Sequence, residues 1–449
     1  TTDDSTTDDS TTDDSTTDDS TTDDSTTDGA ESESSSSDGA TTDGGSSESG
    51  STGGDEEIDV PCYAPEFWTT ADPGPWIASV HPPCEDQSIT SPSLSANGQH
   101  VAYMTFGSPD NPASPPQLAV KDNATGGVVV VPLEDSPVPT GLAARVFLSS
   151  DGTTVTFRAV VGAEHSLWAY DLDTETFEQL HVIDDGILSN SYTDVTTSAD
   201  GQIVAWQQFV EPAGAPGVMV GVMLHDRATS TTTYISAPEE PQAPGGATGA
   251  WVSDDGSAVI FSHGPGLFAG VGVSQIYDYD IATGDLSIAV GDDLLGANFR
   301  NPVASADASI IAFETMQSLV AADTDNDSDV YIYDRDLAVF ELISVTDFGG
   351  DEGFGFVDAR ISGDGEVVVF HYLDPGDPFQ VFSRDRGLGQ TFHLSLGGDG
   401  SALNDSATAY GVSLDGTWVV IESPATNFLA EGTLGAITYP RAYMMLAEQ

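Results

Sequence analysis

The sequence feature that most constrains the fold is a short turn motif that recurs seven times between residues 95 and 416. In each copy a Ser stands two residues before an Asp or Asn, and a Gly usually follows. The Asp and Asn positions are Asn97, Asp151, Asp200, Asp255, Asp307, Asp364 and Asp415. Consecutive copies are 49 to 57 residues apart. A tight turn at this spacing indicates one structural unit that is repeated seven times.

The segments that follow each turn have the composition of β-strands. A large apolar residue lies six positions after each turn Asp or Asn: Tyr103, Phe157, Trp206, Phe261, Phe313, Phe370 and Ile421. Each lies in a β-branched, aromatic-rich run, two more short runs follow in most units, and Asp-Gly is a tight-hairpin signal. No segment keeps a helical period over ten residues. Together with a short strand before each Ser, this pattern predicts an all-β fold, a seven-bladed β-propeller of four-stranded blades.

The seventh unit is one strand short. After its second strand and a loop, the sequence continues with RAYMMLAEQ at 441–449 and stops. An unfinished blade would leave backbone groups unpaired at an open edge. We therefore predict that the propeller spans 91–449 and that a closing segment, residues 60–90, supplies the last strand near Trp76–Val80.

The two cysteines of the chain, Cys62 and Cys84, flank a Pro- and Trp-rich part of this closing segment. A disulfide between them would lock the closing segment and would suit a protein outside the cytoplasm. Two free buried thiols are the alternative. Two cysteines without a nearby pair of histidines are a poor zinc pattern.

Residues 1–59 form an acidic, low-complexity tail that opens with five copies of TTDDS. Up to residue 57 it contains only Thr, Ser, Asp, Glu, Gly and Ala. Such a segment cannot bury enough apolar surface to offset the entropy of ordering it, so we predict a disordered, solvated spacer. Its Thr and Ser residues are candidate acceptors of O-glycans, and its Asp pairs can hold a diffuse cloud of cations.

The charge of the chain restricts its partners. It has 73 acidic residues against 10 basic ones, for a net charge of −63. Such a surface repels the phosphates of nucleic acids and anionic lipid headgroups, so we expect no nucleic-acid partner. The sequence has no apolar run of about 18 residues, and we therefore expect no transmembrane helix.

The order S-x-D-G, then V-x-F, then Y-D-x-x-T-G resembles the TolB-like, WD-repeat-like propellers of bacterial envelopes, over about residues 90–449. The segment SLVAADTDNDSDVYIYDRD in the fifth unit is similar to the blades of one subgroup of these proteins. The acidic tail is similar to the spacers of bacterial surface lipoproteins. The resemblance implies a secreted or lipid-anchored protein of the bacterial cell surface with an interaction role.

The segment DTDNDSD at 323–329 is a candidate metal site. Asp323, Asp325, Asp327 and Asp329 alternate along it. Alternate acids in a turn can direct their oxygens to one hard cation, so these four residues are predicted Ca²⁺ ligands. The alternative is an acidic surface turn held by hydrogen bonds from Asp side chains to the backbone.

Two further polar positions recur in the units. One is an Asp near the end of the second run after the turn, for which we predict a turn-capping role: Asp122, Asp171, Asp226, Asp280, Asp334 and Asp385. The other lies seven residues after the turn Asp: Arg158, Gln207, Ser262, Glu314, His371 and Glu422. These groups either make polar contacts between blades or face a shared cleft.

The sequence has no G-x-S-x-G, Walker or H-E-x-x-H motif, and we predict that the protein is not an enzyme. The expected function is binding of a protein or glycan partner by an extracytoplasmic propeller on a flexible tether. Propellers bind through loops on the faces of the disc, and the long insertions here are at 107–116, 210–220 and 263–274. The alternatives are a hydrolase or lyase that acts on polysaccharide, and a structural subunit of an extracellular coat or fibre with a glycosylated tail.

Overall fold

The structure is a computed structural model that describes fifteen segments of the chain. They are residues 77–79, 88–106, 116–134, 136–138, 142–161, 164–183, 193–211, 219–239, 245–268, 270–290, 298–345, 355–372, 377–397, 400–428 and 441–447. The acidic tail and the Cys62–Cys84 pair lie outside the described residues. Within the described segments there is no helix that is long and apolar enough to cross a membrane.

The described segments form 28 β-strands in seven four-stranded antiparallel sheets, which confirms the predicted seven-bladed propeller. Blades 1 and 2 contain β2 (Ser88–Leu94), β3 (His100–Phe106), β4 (Gln117–Asp122), β5 (Val128–Val130), β6 (Leu142–Leu148), β7 (Thr154–Val161), β8 (Glu164–Asp171) and β9 (Thr176–Ile183). Blades 3 and 4 contain β10 (Thr193–Thr197), β11 (Ile203–Val210), β12 (Met219–Asp226), β13 (Thr231–Tyr234), β14 (Ala247–Val252), β15 (Ala258–His263), β16 (Gln275–Asp280) and β17 (Leu286–Ile288).

The remaining strands follow the same order. Blades 5 and 6 contain β18 (Arg300–Ala304), β19 (Ile310–Thr315), β20 (Asp329–Asp334), β21 (Val339–Leu342), β22 (Phe356–Ile361), β23 (Val367–Tyr372), β24 (Gln380–Asp385) and β25 (Gln390–His393). Blade 7 contains β26 (Thr408–Val412), β27 (Trp418–Ser423), β28 (Arg441–Leu446) and the first strand of the described chain, β1 (Ile77–Ser79).

Blade 7 joins the two ends of the propeller. Strand β1 pairs antiparallel with β28, with Ile77 opposite Met445 and Ser79 opposite Tyr443. The sheet order is β1-β28-β27-β26, so the edge that the C-terminal strands leave open is covered from the N-terminal side. A paired edge has no unsatisfied row of backbone groups.

The recurring turn motif has one geometry in all seven blades. Each motif Ser is at most 1% exposed, and its hydroxyl donates to the Oδ1 atom of the Asp or Asn two residues later, at 2.6–2.8 Å. The same hydroxyl accepts the backbone N–H five residues after it, at 2.9–3.0 Å. The Oδ1 atom of the Asp or Asn also accepts the backbone N–H of the residue two positions after it, at 2.9–3.1 Å. The motif therefore pairs backbone donors that the hairpin leaves without a strand partner.

The seven turns are also joined into a closed ring by backbone hydrogen bonds. Each turn donates an N–H to a carbonyl of the next turn, at 2.5–3.1 Å. The pairs are Ala96 to Ser150, Asp151 to Ala199, Ala199 to Asp254, Asp254 to Ala306, Ala306 to Gly363, Asp364 to Leu414 and Leu414 to Ala96. The last bond returns to blade 1, so the motif connects the blades in addition to closing each hairpin.

The Gly that ends the motif is required by its backbone conformation. Gly365 has φ +75°, and a Cβ at this position would approach Ile310 Cγ1 of the preceding blade to 2.9 Å. In blade 5 the corresponding residue is Ala308, which adopts φ +58°. A non-Gly residue in this region costs about 1–2 kcal/mol, which explains why the other six copies have Gly.

The hydrophobic core lies between blades. Seven apolar clusters are formed by the described residues, and each joins two neighbouring blades. The large apolar residues six positions after each turn Asp or Asn are all 0% exposed. Because the blades pack face to face, this position fixes the spacing between neighbours.

The recurring Asp of the third strand caps the turn that follows it, as predicted. In six blades its Oδ1 atom accepts a backbone N–H two or three residues later, at 2.6–2.9 Å. Asp334 is one of these residues and accepts from Leu337, so it belongs to the turn and not to the acidic loop before the strand.

Candidate functional site

The innermost strands of all seven blades surround a central channel with a cavity of about 390 Å³. Each blade contributes to its wall, through Ser91, Arg145, Thr196, Ala250, Asn301, Asp358 and Tyr410 among others. This volume lies within the range of small-molecule sites, about 300–1,000 Å³. The channel is therefore the first candidate site.

A β-bulge in each innermost strand shapes the channel wall. The register between the first and second strands shifts in every blade, for example between Val357 and Arg360. Four bulge residues have a left-handed backbone, with φ of +47° to +59°: Ser91, Gly249, Asn301 and Asp358. Bulges of this kind redirect side chains and are common next to binding sites.

Three side chains of the second strands, two of them buried and one partly buried, hold the bulges of the next blade. Glu314 Oε1 accepts the backbone N–H of Asp358 at 2.6 Å, and Glu422 Oε2 accepts that of Ser91 at 2.8 Å. The Nε2 atom of His371 accepts the N–H of Ala409 at 2.8 Å. These bonds link blades 5 to 6, 6 to 7 and 7 to 1, so the recurring polar position makes contacts between blades.

The burial of these side chains shifts their pKa values. Burial raises the pKa of Glu314, although the N–H of Asp358 and the Asn301 amide lower it in part. Burial likewise raises the pKa of Glu422, which also bonds the Tyr410 hydroxyl. Burial lowers the pKa of His371, and its acceptor role at Nε2 requires the neutral ring.

The polar groups at the channel wall include an ion pair. Arg360 Nη1 donates to Asp358 Oδ1 at 2.9 Å and to the carbonyl of Ala359 at 2.8 Å. Burial alone would raise the pKa of Asp358, but the charge and hydrogen bond of Arg360, with the charge of Arg145, outweigh it and lower that pKa. Asp358 is therefore ionised at neutral pH, and its carboxylate also lies 3.9 Å from His371 Nδ1.

The acidic loop before β20 brings three of its four predicted metal ligands together. Carboxylate oxygens of Asp323, Asp325 and Asp329 lie within 4.8 Å of one another. Asp327 is outside this group and instead donates its backbone N–H to Asp325 Oδ1 at 2.8 Å. Three carboxylates at this separation form an Asp cluster that can bind a metal ion, since hard cations prefer oxygen ligands.

The same loop is also tied to the strands of blade 5. The Tyr331 hydroxyl donates to Asp323 Oδ2, and the Ser344 hydroxyl donates to Asp329 Oδ1 at 2.6 Å. Asp329 is 9% exposed, and burial, with the charges of the neighbouring acids, raises its pKa to about 6. A carboxylate with a raised pKa gains stability from a nearby cation, which replaces the proton.

A second cleft, of about 620 Å³, lies beside this loop between blades 5 and 6. Its wall includes Asn326 and Ser328 of the acidic loop, together with Arg300, Glu314 and Met316. Glu314 lines this cleft, and its carboxylate is occupied by the N–H of Asp358 and by the side-chain amide of Asn301. Of the three long insertions, 107–115 and 212–218 lie outside the described residues.

The repeat pattern of the sequence does not predict which residues line the channel. They occupy a fixed register, about six residues before the turn Asp or Asn, but their identities differ from blade to blade. A pattern search detects what repeats, and the varied residues of a repeat carry no such signal. The sequence gives one signal for these residues: the side chain at this position differs in chemical type from unit to unit, although the positions of the turn motif that follows are nearly constant.

A scan against protein-family models found no match, and a search of the curated proteins found none. Solved structures do match the fold. An oligogalacturonate lyase from Vibrio parahaemolyticus is 13% identical, with a TM-score of 0.55, over 84% of this chain and 94% of that chain. An oligogalacturonate lyase in complex with manganese is also 13% identical, with a TM-score of 0.53 and the same coverage of both chains.

TolB from Acinetobacter baumannii is 18% identical, with a TM-score of 0.41, and the match covers 65% of this chain and 62% of that chain. At these identities the likeness concerns the fold, and a shared fold does not decide between catalysis and binding. What the likeness and the strand topology show is the fold that the TolB-like resemblance implied: the chain is a seven-bladed β-propeller of four-stranded blades.

Proposed function

We propose that the protein is a binding propeller of the bacterial cell surface that takes a protein or glycan partner at its central channel. The observation that carries this proposal is the channel wall. All seven innermost strands contribute to one cavity, and bulges turn polar side chains of different chemistry toward it. Convergent polar groups in a concave cavity of this size are what ligand sites have in common.

The structural roles of the repeated residues support binding over catalysis. Glu314, Glu422 and His371 are ionisable groups of the second strands, and each already accepts a backbone N–H of the next blade. A general acid or base must be able to exchange its proton with a substrate. The oligogalacturonate lyases favour the alternative, a polysaccharide-acting enzyme, and the Asp358–His371 pair would then be its starting point.

The tail supports the cell-surface location. An acidic Ser/Thr/Asp spacer of about 59 residues can hold the propeller away from an anchoring point, because like charges extend such a chain. O-glycans on its Thr and Ser residues would suit the same exposure, and they would also suit the coat or fibre alternative. The net charge of −63 makes nucleic acid an unsuitable partner.

We also propose that the acidic loop of blade 5 binds Ca²⁺ through Asp323, Asp325 and Asp329. Melting of the full chain is measured in EDTA and in CaCl₂. A cation at 100 times its Kd stabilises the folded state by about 2.7 kcal/mol, so the melting temperature rises with CaCl₂. Asp325→Asn removes this rise, whereas Asp327→Asn keeps it because Asp327 lies outside the carboxylate group. An equal response of both variants contradicts the site.

The binding function is tested with the labelled full chain on a panel of bacterial surface glycans and on intact cells. Trp251 and Tyr410 line the channel and are only partly buried. We expect Trp251→Ala and Tyr410→Ala to weaken binding at least tenfold while the fold, followed by circular dichroism, is retained. Unchanged binding by both folded variants refutes the channel as the binding site.

A further inference from the structure

Two neighbouring blades carry exposed leucines where four other blades have threonine. The position lies three residues after the capping Asp, in the turn between the third and fourth strands. It is occupied by Leu337 in blade 5 and by Leu388 in blade 6, whose side chains are 70% and 58% exposed. In blades 1 to 4 the same position holds Thr125, Thr174, Thr229 and Thr283.

The turn itself does not need these leucines. The backbone N–H of Leu388 donates to Asp385 Oδ1 at 2.6 Å, as that of Thr174 donates to Asp171 Oδ1 at 2.7 Å. The Thr174 hydroxyl adds a second bond to the same carboxylate, at 2.8 Å. Leucine gives up this second bond and exposes an apolar side chain to water. A role within the fold therefore does not explain the leucines.

Contacts between blades 5 and 6 bring the two leucines to one surface. Arg386, two residues before Leu388, pairs with Glu341 of blade 5 at 3.1 Å. Val339 lies two residues before Glu341 on β21, so both side chains point to the same side of the sheet, toward blade 6. Val339 is 49% exposed and follows Leu337 by two residues. Three exposed apolar side chains therefore flank one ion pair between blades.

A third exposed leucine extends this surface toward the centre of the propeller. Leu414 occupies the second position of the turn motif in blade 7, where the other six blades have Ala, Ser, Asp or Gly. Its side chain lies over Gly363 of blade 6, where an added Cβ would collide with it. Arg386 also donates to the carbonyl of Gly365 at 2.7 Å, which connects this turn to the turn of Leu388. We call the four exposed residues the apolar strip: Leu337, Val339, Leu388 and Leu414.

The apolar strip lies at the end of the blades that is opposite to the long insertions. The motif turn joins the first and second strands, and the capping turn joins the third and fourth strands. In an antiparallel blade both turns lie at the same end, and the N–H of Arg386 accordingly donates to the carbonyl of Glu366 at 2.9 Å. The insertions follow the second strand and lie at the other end. None of the four strip residues lines the central channel.

Acidic side chains surround the strip. Five turns of blades 5 to 7 form this end, and the structure describes every residue of them: 305–309, 334–339, 362–366, 384–390 and 413–417. They contain three arginines, of which Arg335 and Arg386 pair with acids outside these turns, Asp278 and Glu341. They also contain seven acidic residues: Asp307, Asp334, Asp336, Asp364, Glu366, Asp385 and Asp415. The apolar side chains therefore have a negatively charged rim.

We propose that the apolar strip is a second interaction surface, which binds a partner protein through a segment with apolar side chains between lysines or arginines, as in a basic amphipathic helix. Contiguous exposed apolar side chains with a polar rim mark protein interaction sites. The acidic rim selects a basic segment by charge complementarity. It repels anionic lipids, and a symmetric contact between two copies of this chain would bring the same acids together. The proposal is independent of the channel and of the acidic loop.

The test is fluorescence anisotropy of a labelled 14-residue peptide of Leu and Lys, patterned as an amphipathic helix, with the full chain in 0.5 M NaCl. The screening length is then below about 8 Å, which reduces long-range attraction by the acidic tail. We expect Leu337→Thr combined with Leu388→Thr to weaken binding at least tenfold, although the net charge is unchanged. Val129→Thr, which changes an exposed apolar residue on the outermost strand of blade 1, should bind as the parent does.

The same double variant serves as its own control for folding. Thr is the residue of blades 1 to 4 at these positions, and its hydroxyl can bond the capping Asp, so the double variant should melt at or above the temperature of the parent. A matched peptide with Glu in place of Lys should bind the parent at least tenfold more weakly than the Lys peptide, because the rim is acidic.

Other outcomes overturn the proposal. Equal binding of the Lys peptide by the parent and the double variant shows that the strip is not the binding surface. Equal binding of the Lys and Glu peptides shows that the rim selects nothing. A dimer of the chain alone that the double variant loses, measured by sedimentation, assigns the strip to a second copy. Binding to vesicles of neutral phosphatidylcholine that the double variant loses assigns it to a lipid surface, and either result refutes the partner protein.

Discussion

Replacing Ser362 by Ala removes one hydroxyl from the turn of blade 6 and tests whether the turn motif stabilises the propeller as its geometry indicates. Ser362 is 0% exposed. Its hydroxyl donates to Asp364 Oδ1 at 2.6 Å and accepts the backbone N–H of Val367 at 2.9 Å. Ala lacks only the hydroxyl oxygen of Ser, so the change removes hydrogen bonds with little other change in packing.

The two lost bonds have different costs. Asp364 is exposed, so water replaces the hydroxyl at its carboxylate. Val367 is 5% exposed, so its N–H is left buried without an acceptor. An unsatisfied buried donor costs about 1–3 kcal/mol. With an unfolding entropy of about 2.1 cal/mol/K per residue over roughly 370 residues, this cost lowers the melting temperature by about 1–4 °C.

The measurement is thermal unfolding of the full chain by calorimetry beside two matched variants. Ser287→Ala changes an exposed Ser on the outermost strand of blade 4 and should stay within about 0.5 kcal/mol of the parent protein. Asp364→Asn should also be mild, because Asn97 makes the same two contacts in blade 1. If Ser362→Ala has the same melting temperature as Ser287→Ala, the buried hydroxyl does not stabilise the turn and the prediction is wrong.

Three further changes test buried or paired ionisable groups of the propeller. Glu314→Ala should destabilise the fold by about 1.5–3 kcal/mol in denaturant titration, since the N–H of Asp358 loses a charged acceptor, whereas Glu314→Gln should cost less. Burial lowers the pKa of His393 to about 4, so on acidification the unfolded chain takes up a proton at this side chain before the folded chain does. The free energy of unfolding should therefore fall as the pH falls from about 6.5 to 4. His393→Gln should make the free energy of unfolding depend less on pH in this range. Arg335→Gln removes the ion pair with Asp278 at 2.7 Å and should cost about 1 kcal/mol in low salt and less in 1 M NaCl.

The parts of this fold that repeat could be predicted from the sequence. The turn motif recurs because each hairpin has the same buried N–H to satisfy, and the capping Asp recurs because each outer turn has the same need. The large apolar residue recurs because every blade packs against a neighbour at the same distance. Identical physical requirements produce identical residues, and a spacing of about 50 residues then reveals the blade.

The candidate sites depend on three-dimensional detail that the sequence does not encode as a pattern. The bulges of the innermost strands arise from a register shift that no residue type predicts. The four bulge residues share only their backbone conformation: Ser91, Gly249, Asn301 and Asp358. In the acidic loop, an Asp at every second position predicts four equivalent metal ligands. The backbone instead folds back so that the N–H of Asp327 serves Asp325, which separates the carboxylate of Asp327 from the other three.

The difference between constant and varied positions separates structure from function in this propeller. Every position that repeats, including the buried Ser, the turn Asp and the capping Asp, has a hydrogen-bond or packing role inside the disc. The wall of the channel is built at one register of the repeat, yet it presents Ser91, Arg145, Asn301 and Asp358 in different blades. A fold needs no variety there, because the bulges are held through their backbone N–H groups and not through their own side chains. Variety at a fixed register is what an asymmetric ligand requires, since a sevenfold ring of identical groups would bind it in seven equivalent ways.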